Sequence, residues 1–144
     1  MTNPDHALTR RFAENPTTPV AVDTNPIAVD LAASLQAWDP ENRTLTLTFH
    51  TSERHVQGNG AVHGGIVTTM LDFGLVFAVM TDAPRIAVTA ALSVQFERTV
   101  PPGDITVRST VHRSGGRLAF ASAELRDARA DVLARATATL AMLK

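Results

Sequence analysis

Hydrophobic and polar residues change rhythm several times along the 144-residue chain. His6 to Glu14 has helical character, and Pro16, Pro19 and Pro26 then interrupt regular hydrogen bonding. Residues 1–26 therefore read as an N-terminal extension, a short helix followed by a proline-rich lead-in, and residues 27–144 as one domain. Extended segments are predicted at about 27–38 and 43–50, separated by the turn residues Asp39-Pro40-Glu41-Asn42. In the second, Leu45, Leu47 and Phe49 alternate with Thr44, Thr46 and Thr48, the period of a half-buried strand. Thr51 to Val62 is polar, contains Gly58 and Gly60, and reads as a loop.

From His63 to Met80 the apolar positions leave no clean polar stripe, as expected of a helix buried on nearly all sides. Asp82-Ala83-Pro84 ends it, and period two returns. Leu92, Val94 and Phe96 share one face, and Pro101-Pro102-Gly103 makes a turn. Ile105, Val107, Ser109 and Val111 form the next face, with a hairpin at Ser114-Gly115-Gly116. Leu118 and Phe120 mark another strand. A last one runs from about Val132 to Leu143, with Ala134, Ala136, Ala138, Leu140 and Met142 on one side. One antiparallel sheet curled around one helix satisfies both the helix's apolarity and the strands' one-sidedness, which makes the fold class α+β.

Composition narrows the function. Hydrophobic residues make up 44% and charged residues 19%, ordinary globular values. The 13 basic and 14 acidic residues give a net charge of −1, which argues against a nucleic-acid partner. Without cysteine, disulfide scaffolds, thiolate metal sites and cysteine nucleophiles are excluded. The segment MTNPDHALTRRFAENP lacks an apolar signal core, and residues 65–80 are short for a span and contain Asp72. A cytoplasmic protein without a membrane partner is expected. Up to Asp72 the chain holds 4 basic and 8 acidic residues (−4), and after it 9 and 6 (+3). Arg98, Arg113 and Arg117 in that basic half are either solvated surface residues or contacts for ligand phosphates.

The densest chemistry lies in Gln57-Gly58-Asn59-Gly60-Ala61-Val62-His63-Gly64-Gly65 and the helix that follows. Glycines at a helix start leave backbone N–H groups free at the positive end of the dipole, suited to a phosphate or a polarised carbonyl. Asp72 is the only ionisable residue between His63 and Asp82. A carboxylate there needs a partner or a cleft, and Thr68 and Thr69 one turn back are candidate partners. His63 and Asp72 lie about 13 Å apart along the axis and on opposite helix faces, so one chain cannot pair them as a triad. His63 reads instead as a helix-start residue that shapes the loop. His50, Glu53 and His55 lack a fourth ligand at a recognised spacing, and no metal is expected.

Val62-His63-Gly64-Gly65-Ile66-Val67-Thr68-Thr69-Met70-Leu71-Asp72 resembles the helix-start signature of hot-dog fold acyl-CoA thioesterases of the phenylacetate-pathway (PaaI-like) type. Thr89 to Phe96 and Pro102-Gly103-Asp104 fit the same family. The resemblance covers roughly residues 27–143 and implies a curled sheet around a long central helix. It implies hydrolysis of an acyl-CoA to free acid and CoA, with Asp72 as general base or nucleophile and the Gly64 N–H polarising the thioester carbonyl. Gln57 would hold water or substrate, and Thr89 would assist from a strand. His63, Gly65, Thr68 and Phe73 would contact substrate. No cofactor is implied, since CoA belongs to the substrate. The family builds its site across a dimer interface, so a homodimer or a homotetramer made of two dimers is expected. Phe73, Phe77 and residues 27–38 are the expected tunnel wall. The competing readings are an enoyl-thioester hydratase of the same fold and a non-catalytic acyl-CoA binder or sensor.

Overall fold

In the computed structural model, which describes residues 2–143, one antiparallel sheet wraps a central helix. The chain runs α1 (Pro4–Glu14), β1 (Val20–Ala21), α2 (Pro26–Asp30), β2 (Ser34–Asp39) and β3 (Thr44–Thr51). A 3-10 turn (Glu53–His55) leads to the long helix α3 (Gly64–Asp82). Strands β4 (Ala87–Phe96), β5 (Gly103–Ser114), β6 (Leu118–Arg126) and β7 (Val132–Met142) follow. The sheet order is β1-β2-β3-β5-β6-β7-β4, so β4 forms one edge and, among the described residues, pairs only with β7.

Helix α3 is apolar because the sheet covers it. Val67, Met70, Leu71, Leu75, Phe77, Ala78 and Val79 are buried against the strands. Its 19 residues have the length and apolarity of a membrane span, yet most of that surface is already packed inside the protein. Gly74 permits the closest approach: a Cβ there would lie 2.6 Å from both Ser109 Oγ and Val107 Cγ1 on β5. The face left partly open carries Thr69, Asp72, Phe73 and Val76, which recur at three- and four-residue steps.

One expectation changes. The segment 27–38 is not one strand, because Asn25 caps a helix beginning at Pro26, its side chain accepting from the Ala28 N–H at 2.8 Å. The N-terminal helix α1 packs on α3. Leu8 and Phe12 of α1 are buried, and Arg10 reaches the carbonyls of Met80 and Thr81, the latter at 2.7 Å. The guanidinium thereby caps the C-terminal end of α3, where the helix dipole favours a cation. The first half of strand β6 turns its large residues outward, while Leu125 near its end is buried. Leu118 and Phe120 are exposed while Ala119, Ala121 and Ala123 face the core.

Candidate functional site

Asp72 sits halfway along α3 on its partly open face, and Thr89 on β4 meets it. The Thr89 hydroxyl donates to Asp72 Oδ1 at 2.5 Å. A regular strand would place residue 89 in phase with Ala91 and Ser93, away from the helix. The β4–β7 register shifts between Thr89 and Ala91, and this bulge brings Thr89 into phase with Leu92 and Val94, which pack against the core. Thr68 and Thr69, the partners expected within the helix, instead donate to the carbonyls of Gly64 at 2.8 Å and Gly65 at 2.9 Å. Around the carboxylate, Ile27, Thr68, Phe73, Thr89 and Leu92 enclose an open concavity of about 460 Å³.

The start of α3 forms a different concavity. Gln57, Val62, Gly64, Phe96, Arg98 and Val100 surround a space of about 380 Å³. His63 is the helix N-cap, and its Nδ1 accepts from the Gly65 N–H at 2.9 Å. The Gly64 N–H donates to no acceptor among the described residues, which leaves it the free donor of the pair. The loop before it is held by Val62 N–H to Val100 O (2.8 Å) and His63 N–H to His55 O (2.9 Å). Gly60 in this loop has φ +83°, a conformation that suits glycine.

The two halves do not meet within one chain. Gly64 and Asp72 are eight residues apart on one helix, about 12 Å along its axis. Asp72, Thr89, Thr68 and Phe73 share one concavity, and Gln57 and Gly64 the other. Phe77, expected in the wall, lies in the core behind Phe73, their rings stacked at 5.6 Å. Of the three arginines considered for phosphates, Arg98 borders the Gly64 concavity, while Arg113 and Arg117 border neither.

His50 and His55 are each paired with an aspartate. His50 Nδ1 lies 2.8 Å from exposed Asp104, and His55 Nε2 lies 2.7 Å from Asp30. Among the described residues, no three His, Asp or Glu side chains gather to hold a metal. The His55 hydrogen bond and the charge of Arg54 outweigh burial and hold the Asp30 carboxyl below its ordinary value. Leu92 and Ile27 complete the acid's surroundings. Leu92 carried only the signal of strand phase. Ile27 is the first residue of the stretch 27–38 expected in the tunnel wall, and it is the member of that stretch that borders this concavity.

The curled sheet around one helix, with an acid at mid-helix and an unpaired N–H at its start, is the hot-dog architecture. Residues 59–134 match the family model of the thioesterase superfamily, and the chain belongs to that family. A candidate esterase of Pseudomonas aeruginosa is 32% identical over 100 residues, covering 67% of this chain and 75% of that protein. The Escherichia coli PaaI protein of the phenylacetic acid degradation operon superposes with a TM-score of 0.79 at 15% identity, over 97% of this chain and 94% of its own. A Streptococcus mutans protein solved with bound acetyl-CoA gives a TM-score of 0.69 at 15% identity, over 76% and 86% of the two chains. Family membership supports acyl thioester hydrolysis as the general activity.

Proposed function

We propose that the protein is an acyl-CoA thioesterase acting as a homodimer, with each site assembled from Asp72 and Thr89 of one subunit and Gln57 and Gly64 of the other. The observation that carries this reading is the separation of a held carboxylate and a free helix-start N–H into two concavities joined by one edge strand. β4 has a vacant side, with Thr89 in the first concavity and Phe96 in the second. Antiparallel pairing of two β4 strands about Leu92 and Ser93 would set residue 89 of one opposite residue 96 of the other. That two-fold arrangement brings an Asp72 half against a Gly64 half twice. The acetyl-CoA bound to the Streptococcus mutans relative supports a CoA thioester as the ligand.

Thioester hydrolysis needs an activated oxygen and a stabilised oxyanion. Thr89 occupies Asp72 Oδ1, which leaves Oδ2 to take the proton of a water. The water oxygen adds to the carbonyl carbon while the Gly64 N–H receives the developing oxyanion at the positive end of α3. Collapse breaks the C–S bond, and the CoA thiolate leaves with the electron pair and collects a proton, giving acid and thiol. Direct attack by Oδ2 is the other route. Single turnover in ¹⁸O-labelled water separates them: direct attack by water puts one labelled oxygen into the acid, whereas an Asp72 anhydride opened by water at its Asp72 carbon puts the label into the enzyme's carboxylate and none into the acid.

Thiol release from a panel of acyl-CoAs tests the reading, with Asp72→Asn compared at matched fold and mass. Turnover that falls at least about 10³-fold in the variant, with acyl-CoA binding retained, supports it. Binding without turnover across the panel would sink it in favour of a sensor. A monomer in sedimentation with full activity would sink the shared site.

A further inference from the structure

Ile27 is a large apolar residue on the surface, 57% exposed, on a helix that buries its neighbour Ala28. It is also the part of the wall around Asp72 that comes from neither α3 nor β4. Phe73 in the same wall is backed by Phe49 and Phe77, whose rings stack on it at 6.3 and 5.6 Å, so it has little freedom to move. Ile27 is fixed differently. Helix α2 ends at Asp30, and Asp30 is tied to His55, the only buried titratable side chain among the described residues, at 5% exposure.

His55 uses both ring nitrogens. Nδ1 accepts from the Ser52 N–H at 2.9 Å, so the ring proton lies on Nε2 and is donated to Asp30 at 2.7 Å. The imidazole thus fastens α2 to the segment that leads into the Gly64 loop, and its own carbonyl holds the His63 N–H. An apolar side chain facing a carboxylate pocket, on a short helix with a buried polar tie, is placed to meet substrate.

We propose that Ile27 is a specificity-determining residue that the acyl chain covers, and that His55 is a positioning residue acting on it through Asp30. This rests on the acyl-CoA reading above. An acyl group extending from Asp72 along Phe73 and Leu92 reaches Ile27 once it is long enough. Chains that reach it gain apolar contact, and an acetyl group does not.

The test is kcat/KM for straight-chain acyl-CoAs from acetyl to dodecanoyl, in wild type, Ile27→Ala, Asp30→Ala, Asp30→Asn and the double variant Ile27→Ala/Asp30→Ala. Ile27→Ala should lower the ratio of the best long-chain to the acetyl value about tenfold, through KM, as expected for lost methylene contacts. Asp30→Ala should lower it in the same direction, with no further loss in the double variant. Asp30→Asn keeps an acceptor for His55 and should restore the wild-type ratio. An Ile27→Ala ratio within twofold of wild type, or higher, overturns the contact. Additive losses, or an Asp30→Asn variant as altered as Asp30→Ala, overturn the positioning role. A wild type that hydrolyses none of the panel overturns the acyl-CoA reading and this inference with it, whereas turnover with an unmoved ratio overturns this inference alone.

Discussion

Replacing Gly74 by alanine probes how tightly the central helix α3 is seated. The added Cβ would stand 2.6 Å from Ser109 Oγ and from Val107 Cγ1, about an ångström inside ordinary contact. Neither neighbour yields easily. Val107 is β-branched and fully buried on β5, and Ser109 is fully buried with a hydroxyl that already lacks a partner. Relief requires α3 to lift from the sheet. Overpacking of this kind costs about 1–3 kcal/mol, and two simultaneous contacts argue for the upper part of that range. Losing a helix glycine returns about 1 kcal/mol. A net loss of about 1–2 kcal/mol in a chain of this length lowers Tm by about 3–7 °C. Thermal melts and urea titration of Gly74→Ala measure it. Thiol release is the second readout, because Asp72 lies half a turn before Gly74 and moves with it relative to Thr89. A variant with wild-type Tm and wild-type turnover would refute the argument by showing slack between α3 and β5.

Two further outcomes follow from hydrogen bonds. Thr89→Val removes the donor on Asp72 without changing volume, and kcat should fall about 10–100-fold, the worth of a charge-assisted bond, while Thr89→Ser stays near wild type; equal rates in all three would exclude Thr89 from the chemistry. Asp82 is partly buried, which alone would raise its carboxyl, but Arg43 (2.6 and 3.0 Å), Ser114 (2.9 Å) and the charge of Arg10 hold it below its ordinary value. A depressed value means stability that is present above the ordinary carboxylate range and lost as pH falls through the lower folded value. Asp82→Asn should therefore be about 2 kcal/mol less stable than wild type at pH 7. Urea midpoints should converge below about pH 4, and a gap unchanged at pH 3 would contradict the assignment.

Much of the architecture was legible because the sheet buries one face. Leu45, Leu47 and Phe49, or Ile105, Val107 and Ser109, advertise their strands by alternation, and α3 advertises its burial by having no polar stripe. Asp72 stood out for the same reason, as a lone charge in an apolar run. Thr89 did not, because its orientation depends on a bulge, and a one-residue shift in phase leaves no mark on composition. Reading by simple alternation puts it on the wrong face, and only the family resemblance pointed to it. Helix α2 was missed despite a legible Asn25-Pro26 start, since five residues are too few for periodicity to show. Arg10 on the end of α3 was beyond reach for a different reason. Its partners lie 70 and 71 residues downstream, and nothing local to residue 10 specifies them.

That long-range cap has a consequence for how the chain is made. Helix α1 leaves the ribosome well before α3, and the carbonyls that Arg10 binds and the helix that packs on α1 are translated some 70 residues later. At about 5–20 residues per second, the first helix waits about 4–14 s with its apolar face uncovered. Its docking is then a late event, set by synthesis of α3 rather than by any signal in its own sequence.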